Sequence, residues 1–111
     1  MRQRLIICAT LVVLAFVAHA PALRATFVWD DTALVLRDPL IRSWRLIPAG
    51  FQHFLFVDAT PSNFYRPLQR LSFVGDYALY ERDARGWHLT IIYLHLAAAL
   101  ALYFLAEKLL A

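Results

Sequence analysis

The sequence predicts an all-α membrane protein in which two transmembrane helices flank an extracytoplasmic loop with short amphipathic helices. The 111-residue chain is 61% hydrophobic and only 17% charged, with a mean hydropathy of +0.56, which is too apolar for an ordinary soluble domain. Two uncharged runs, 5–23 and 89–106, are each long enough to cross the roughly 30 Å hydrocarbon core as a helix. The segment 24–88 between them is too long for a simple turn and too aromatic for a disordered linker.

The first apolar run follows a short basic N-terminus. Residues 1–4 contain two arginines, and the positive-inside rule therefore predicts a cytoplasmic N-terminus and an extracytoplasmic loop at 24–88. The same layout is typical of a secretory signal peptide, which would be cleaved after Ala20. Cleavage there would make Pro21 the first mature residue, and the apolar run continues beyond it. We therefore interpret the run as an uncleaved transmembrane anchor.

Two adjacent acids follow the first run. Asp30 and Asp31 lie just outside the predicted transmembrane helix, and neighbouring carboxylates repel each other. Keeping both ionised at a partly desolvated interface requires a cation, a shared proton or strong hydrogen-bond donors, and this requirement indicates a functional site. The alternative is that the acids end the first helix or cap the next one, because Asp is a good N-cap. Spacing alone leaves both readings open.

The loop alternates predicted helices with predicted turns. Apolar residues that recur every three to four positions indicate amphipathic helices, and Pro and Asp indicate where they begin or end. We expect the amphipathic helix at 44–57 to lie along the membrane surface. The predicted segments are a short helix at 31–36 that Asp38-Pro39 ends, an amphipathic helix at 44–57, a turn at 58–63, a helix from Pro67 to Tyr80 and a charged turn at 81–86.

Tyr65 and Arg66 stand immediately before the helix that Pro67 is predicted to open. A guanidinium beside free backbone N–H groups at a helix N-terminus suits an anion such as a phosphate. The alternative is that Arg66 pairs with one of the loop acids. Arginines and acids nearly balance in the loop, so its charge does not oppose translocation across the membrane.

His88 and His95 are seven residues apart and therefore share one face of the second predicted transmembrane helix. His95 lies within the apolar run, where a polar side chain needs a partner, and we expect that partner on a transmembrane helix beyond this chain. The spacing of the two histidines is too wide for a metal pair without other ligands. No metal site is therefore assigned, although the sequence leaves a divalent metal cofactor open.

Several other functions are excluded by composition. The net charge of +3 arises from basic residues scattered among acids, with no basic stripe or nucleic-acid motif. Cys8 is the single cysteine, so no intrachain disulfide can form. Residues 107–111 are predicted to lie in the cytoplasm, and the end of the chain so soon after the second run is interpreted as a truncation.

Four sequence blocks resemble the opening of a known family. They are Phe27-Val28-Trp29-Asp30-Asp31, Arg37-Asp38-Pro39-Leu40-Ile41, Tyr65-Arg66-Pro67-Leu68 with Leu71-Ser72-Phe73, and Gly86-Trp87-His88-Leu89-Thr90 with Leu94-His95-Leu96. The family comprises polytopic membrane proteins with C-terminal tetratricopeptide repeats, related to the transmembrane and TPR-containing O-mannosyltransferases, with a GT-C glycosyltransferase membrane fold. The resemblance covers most of the chain after Thr26. One departure is Ile91, where the family pattern leads us to expect Asn.

The resemblance implies the N-terminal part of an integral-membrane glycosyltransferase, located in a bacterial inner membrane. It would transfer a hexosyl or mannosyl group from a polyprenyl-phosphate carrier to a protein or glycan acceptor on the extracytoplasmic face. Its partners would be membrane lipid, the lipid-linked sugar, the acceptor and the remaining transmembrane helices, and no nucleic acid. Two helices cannot enclose a lipid-linked donor, so we expect this chain alone to be inactive. The resemblance makes Asp30 and Asp31 catalytic, the charge of Arg66 suits it to bind the donor phosphate, and Tyr65, His88 and His95 are candidate site-lining residues.

Two other function classes remain open. The first is a non-catalytic membrane scaffold that docks a partner through loop aromatic residues. The second is a secreted or anchored solute-binding protein with a cleaved signal peptide. The proposed docking residues of the scaffold are Trp44, Phe51, Phe54 and Phe56.

Overall fold

A computed structural model describes residues 1–55 and 64–111 and divides the chain into two compact units. Residues 1–25 and 88–111 form one unit, which we call the helical hairpin, and residues 26–87 form the other, which we call the loop domain. The described residues form helices and turns and contain no β-strand, which confirms the predicted all-α class. The α-helices are α1 (Arg2–His19), α2 (Ile47–Gly50), α3 (Pro67–Tyr80) and α4 (Ala84–Leu110), with shorter helical turns at Ala20–Arg24, Thr32–Leu36, Pro39–Ile41 and Trp44–Leu46.

The hairpin contains two helical spans that are long and apolar enough to cross a membrane. The first is α1 with its 3₁₀ continuation, Arg2–Arg24, and the second is α4. The change of helix type after His19 coincides with Pro21, whose ring removes a backbone donor. These two spans confirm the prediction of two potential transmembrane helices.

Side-chain contacts give the direction of the two hairpin helices. The Nε atom of Arg4 lies 2.7 Å from Oε1 of Glu107, and the rings of Phe16 and Tyr93 meet edge to face at 5.9 Å. Because residue numbers rise along α1 while those of its partners fall along α4, the helices are antiparallel.

Shielded positions on each hairpin helix recur in steps of three and four. This is the spacing of a coiled-coil seam, and its small residues allow two helices to approach closely. Most other apolar side chains of the spans are exposed, as suits contact with lipid. The shielded positions include Cys8, Leu11, Ala15 and His19 on α1 and Ile92, Leu96, Ala99, Tyr103 and Ala106 on α4.

The loop domain encloses a small core at the start of α4. Trp87 is buried there, and its indole N–H donates to the carbonyl of Glu81 at 2.9 Å. Phe73 and Phe27 pack edge to face on the indole, with ring centroids 5.2 and 6.1 Å away. The other buried members of this core are Val35, Ile41 and Val74.

The predicted amphipathic helix at 44–57 is wrong over its described part. A 3₁₀ turn at Trp44–Leu46 leads into the single helical turn of α2, which ends at Gly50. Beyond that turn, the carbonyls of Gly50, His53 and Phe54 accept hydrogen bonds from the side chain of Arg70 on α3. Residues 56 and 57 and the predicted turn at 58–63 lie outside the described residues.

The turn between α3 and α4 is shorter than predicted. We expected a charged turn over residues 81–86, but α4 begins at Ala84. The carboxylate of Asp83 accepts a hydrogen bond from the backbone N–H of Arg85 at 3.1 Å, which satisfies one of the free donors at the helix start. Glu81 turns the chain between the helices with a φ of 50°, in the left-handed region.

Candidate functional site

The predicted acidic pair lies in a tight turn at the start of the loop domain. Trp29 has a φ of 51°, which is uncommon for a bulky residue. The backbone N–H of Asp31 donates to the carbonyl of Val28 at 3.1 Å, and the N–H of Thr32 donates to the carbonyl of Trp29 at the same distance. The left-handed backbone of Trp29 is therefore part of the turn that immediately precedes Asp30.

The two acids of this turn have different roles. The side-chain Oδ2 of Asp31 accepts a hydrogen bond from the backbone N–H of Val28 at 3.2 Å and so closes the turn. The side chain of Asp30 is exposed and makes no hydrogen bond or ion pair with any residue that the structure describes. The alternative of a local capping role thus fits Asp31, while the carboxylate of Asp30 is available to a ligand.

A π-helical turn, Thr32–Leu36, follows the acids directly. Its closing bond runs from the N–H of Arg37 to the carbonyl of Thr32 at 3.0 Å. The guanidinium of Arg42 donates from Nη2 to the carbonyls of Val35 and Leu36, at 3.0 and 2.5 Å. Arg42 therefore satisfies carbonyl groups at the end of the turn that carries the acids.

The same arginine packs on helix α3. The guanidinium carbon of Arg42 lies 4.4 Å from the centre of the Tyr77 ring, a cation–π contact. Because Tyr77 packs on the loop-domain core, Arg42 links the π-helical turn to that core.

Tyr65 and Arg66 lie at the N-terminus of α3, as the sequence predicts. Arg66 is exposed at the N-cap position, and its guanidinium carbon lies 5.3 Å from the centre of the Phe64 ring. The hydroxyl of Tyr65 donates to the carbonyl of Phe51 at 2.6 Å. Within the described part of the chain, no hydrogen bond or ion pair joins Arg66 to the acidic turn.

The arginine that pairs with a loop acid is Arg70, one helical turn after Arg66. Its Nε donates to Oδ2 of Asp38 at 3.1 Å, and both side chains are 2% exposed. Its Nη atoms donate to three carbonyls of the 50–54 segment at 2.9–3.1 Å. Asp38 also accepts from the backbone N–H of Leu40 at 2.9 Å, so both charges are well bonded.

Gly50 makes room for this buried guanidinium. A Cβ atom at Gly50 would lie 2.9 Å from Cδ of Arg70, closer than side chains normally approach. Sequence reasoning missed this centre, because Asp38 was interpreted only as a helix breaker and Arg70 only as a loop charge. The glycine at position 50, inside the predicted helix at 44–57, was the signal available.

His88 and His95 lie on α4 within the helical hairpin. The ring centroid of His95 lies 4.9 Å from that of His19 on α1. His95 therefore has a ring contact within this chain, whereas the expectation of a polar partner on a helix beyond it stays a prediction. His88 is half-buried near the start of α4.

The geometry therefore offers one exposed carboxylate beside a strained turn and one exposed guanidinium at a helix start, both in the loop domain. A carboxylate can accept a proton and a guanidinium can bind an anion. Among the described residues, no three histidines, cysteines or acids are grouped to hold a metal ion. Comparison with known protein families, curated proteins and solved structures finds no match to this chain.

Proposed function

We propose that this chain is the N-terminal part of an integral-membrane glycosyltransferase, which transfers a sugar from a polyprenyl-phosphate carrier to an acceptor on the extracytoplasmic face. The observation that carries the proposal is the contrast between the two acids. Asp31 closes the turn through the N–H of Val28, whereas the exposed carboxylate of Asp30 is not used by any described residue. A general base needs a carboxylate that the fold leaves available to substrate.

The reaction assigns each group a separate task. The carboxylate of Asp30 accepts the proton of the acceptor hydroxyl as that oxygen forms a bond to the anomeric carbon of the sugar. The bond from the anomeric carbon to the carrier phosphate breaks, and its electron pair leaves with the phosphate. Arg66, with its exposed charge, neutralises that phosphate through charge-assisted hydrogen bonds.

Two features of the backbone beside Asp30 support a functional turn. Trp29 holds a left-handed conformation, and a π-helical turn begins at Thr32. Strained residues and π turns are concentrated at functional sites, where the surrounding structure holds them in place. Here the bonds of Asp31 and Arg42 provide that support.

Two of the sequence blocks that carry the resemblance meet in the structure. Phe27 belongs to the first sequence block and Trp87 to the last, and their rings meet edge to face in the loop-domain core. Two blocks that lie far apart in the sequence therefore share a structural role.

The test compares Asp30→Asn with Asp31→Asn. Both variants lose one negative charge, but the new amide of Asp31→Asn can still accept the hydrogen bond from Val28. We expect Asp30→Asn to lower the rate of sugar transfer about 10²–10⁴-fold, the usual contribution of a general base. We expect Asp31→Asn to lower it less than tenfold. The assay measures transfer of radiolabelled sugar from polyprenyl phosphate in membranes, with the chain expressed together with any coding sequence that continues it.

The wild-type activity of the same membranes is the reference for both variants. Equal, unimpaired transfer by the two variants would remove the catalytic proposal. Equal loss in both would show that the charge of the turn matters but that Asp30 is not distinct from Asp31.

The proposal also requires the acidic turn to face the extracytoplasmic side. Val28 is 60% exposed, so a cysteine at this position can react with a reagent in solution. In a Cys8→Ser background, Val28→Cys should react with a membrane-impermeant maleimide in intact cells. Labelling only after the cells are opened would place the turn in the cytoplasm and exclude a periplasmic sugar transfer.

A docking scaffold is the second candidate, because the loop domain exposes large aromatic side chains. Trp44 is 70% exposed, Phe54 is 54% exposed and Phe51 is 40% exposed, whereas Phe56 lies outside the described residues. A photocrosslinking residue at position 44 should then form one defined protein adduct, and one at the exposed Arg82 should not. Adducts at neither position would count against the scaffold.

The solute-binding alternative predicts removal of the first hydrophobic span. In the structure this span is helical through Ala20 and continues to Arg24. Mass spectrometry of the protein isolated from membranes distinguishes the two cases, since cleavage after Ala20 gives a mature N-terminus at Pro21. An N-terminus at Met1 or Arg2 supports the anchored form.

A further inference from the structure

The helical hairpin contains a pair of facing histidines that the proposed sugar transfer does not use. The imidazole rings of His19 and His95 lie 4.9 Å apart, centre to centre, with their planes tilted by 48°. Both residues lie on spans that are otherwise strongly apolar. Ionisable side chains are costly in such segments and are usually retained for a function.

A backbone contact determines which nitrogen of His19 is available. Nδ1 of His19 lies 2.9 Å from the carbonyl oxygen of Ala15. A carbonyl oxygen can only accept, so Nδ1 carries the hydrogen and donates it. In the neutral ring Nε2 then has a free lone pair. Histidines that bind metals usually have this arrangement, with the other ring nitrogen donating to a carbonyl or carboxylate.

We propose that His19 and His95 together bind a transition-metal ion of the class that prefers imidazole, most strongly Cu²⁺ and more weakly Zn²⁺. A metal–nitrogen distance of about 2.1 Å to each ring would place the two ring centres about 5 Å apart for ligands at a tetrahedral or smaller angle. The observed 4.9 Å matches this separation. Two neutral nitrogen ligands do not suit Mg²⁺ or Ca²⁺, which prefer oxygen.

The surroundings of the pair leave space for the remaining ligands. His95 is exposed and His19 is half-buried, so one side of the pair is open. Among the described residues no third histidine, cysteine or acid joins the pair, so further ligands would have to come from outside these side chains. His19 is the last residue of α1, five residues before the end of the first span at Arg24. These five residues form a 3₁₀ helix, which corresponds to about 10 Å between His19 and the end of the span.

Electron paramagnetic resonance of Cu²⁺ tests the proposal on the complete, untagged chain in lipid nanodiscs at neutral pH. The spectrum of the wild type should show coupling to two imidazole nitrogens at one equivalent of Cu²⁺. A Cu²⁺ titration should show His19→Ala and His95→Ala each binding at least about tenfold more weakly, because each removes a ligand. The chain has four histidines, so His53→Ala and His88→Ala are matched controls and should bind as the wild type does.

Two results would overturn the proposal. One is coupling to a single imidazole in the wild type, a measurement that does not depend on any variant folding correctly. The other is a Cu²⁺ affinity that falls equally in the variants and in the matched controls. Circular dichroism of each variant establishes that the helices are retained. Added Zn²⁺ should displace bound Cu²⁺ and so reduce its signal, whereas added Mg²⁺ should not.

Discussion

The helical hairpin and the loop domain differ in the kinds of side chain that they bury and expose. In the hairpin, apolar side chains cover the outside of two helices, and the shielded seam contains small residues such as Ala15. In the loop domain, charged side chains are buried: Asp38 and Arg70 are 2% exposed and Asp76 is 8% exposed. The hairpin therefore exposes apolar surface that suits lipid, whereas the loop domain is organised around buried charged side chains.

The difference follows from how each region satisfies its backbone. Long helices such as α4 bond almost all of their own N–H and carbonyl groups and can therefore present apolar side chains to lipid. The loop domain changes direction every few residues, so its short turns leave carbonyl groups without helical partners. Arg70 and Arg42 donate to five such carbonyls. In the loop domain, arginine side chains thus bond carbonyl groups that the helical backbone itself bonds in the hairpin.

The largest effect is expected when the charged centre of the loop domain is removed. Arg70→Met leaves Asp38 buried without its cation and releases three carbonyls, and breaking a buried ion pair costs about 3–5 kcal/mol. Since whole domains have only about 5–15 kcal/mol of stability, the loop domain should be largely unfolded at moderate denaturant concentration. The measurement is the fluorescence of buried Trp87 during denaturation, in a background with Trp29 and Trp44 replaced by Phe.

Arg66→Met is the matched control for this experiment. Arg66 lies four residues earlier in the chain but is exposed, so its replacement should change the free energy of unfolding by no more than about 0.5 kcal/mol. Equal stability of the two variants would contradict the role assigned to Arg70. Circular dichroism of both variants should retain the signal of the hairpin helices, which would separate local unfolding from general collapse.

Replacing each of two glycines by alanine should change the free energy of unfolding by a smaller amount, with opposite signs at the two positions. In Gly86→Ala the new Cβ would lie 2.2 Å from the ring of Tyr80, and such overpacking costs about 1–3 kcal/mol. In Gly75→Ala, no heavy atom lies within 4 Å of the new Cβ, and the interior of α3 should gain up to about 1 kcal/mol from helix propensity. Thermal unfolding should therefore shift in opposite directions.

A second substitution identifies the cause of the Gly86 effect. Tyr80→Ala removes the ring that the new methyl group would meet, so Gly86→Ala should cost less in that background than in the wild type. Measuring Gly86→Ala in both backgrounds tests how tightly the start of α4 is packed on the loop-domain core. A stabilising Gly86→Ala would contradict the packing described.

Those features that depend on local sequence were predicted well. The uncharged runs indicated the two spans, and Pro67 with the apolar spacing after it indicated α3. The position of Arg66 at the start of α3 followed directly. These features are encoded within one or two helical turns, so a sequence pattern is enough to reveal them.

Features that depend on distant contacts were missed. Arg70 and Asp38 are 32 residues apart, and nothing in the spacing of either indicates the other. Within the predicted helix at 44–57, α2 ends at Gly50, and the carbonyls of Gly50 and His53 are bonded by Arg70 on another element. The facing of His19 and His95 depends on the register of the hairpin, which the apolar pattern of either helix leaves undetermined.

The smallest effect is expected at the charged end of the hairpin. Arg4 and Glu107 form an ion pair of 2.7 Å, but their side chains are 63% and 32% exposed. Exposed pairs contribute about 0.2–1 kcal/mol and weaken as salt screens them. A double-mutant cycle with Arg4→Gln, Glu107→Gln and both should give a coupling energy in this range, measured by unfolding in mixed micelles at low salt and lost at high salt. A coupling as large as that of the buried Arg70 pair would contradict the comparison, since it would mean that the hairpin too depends on a charged centre rather than on its apolar seam.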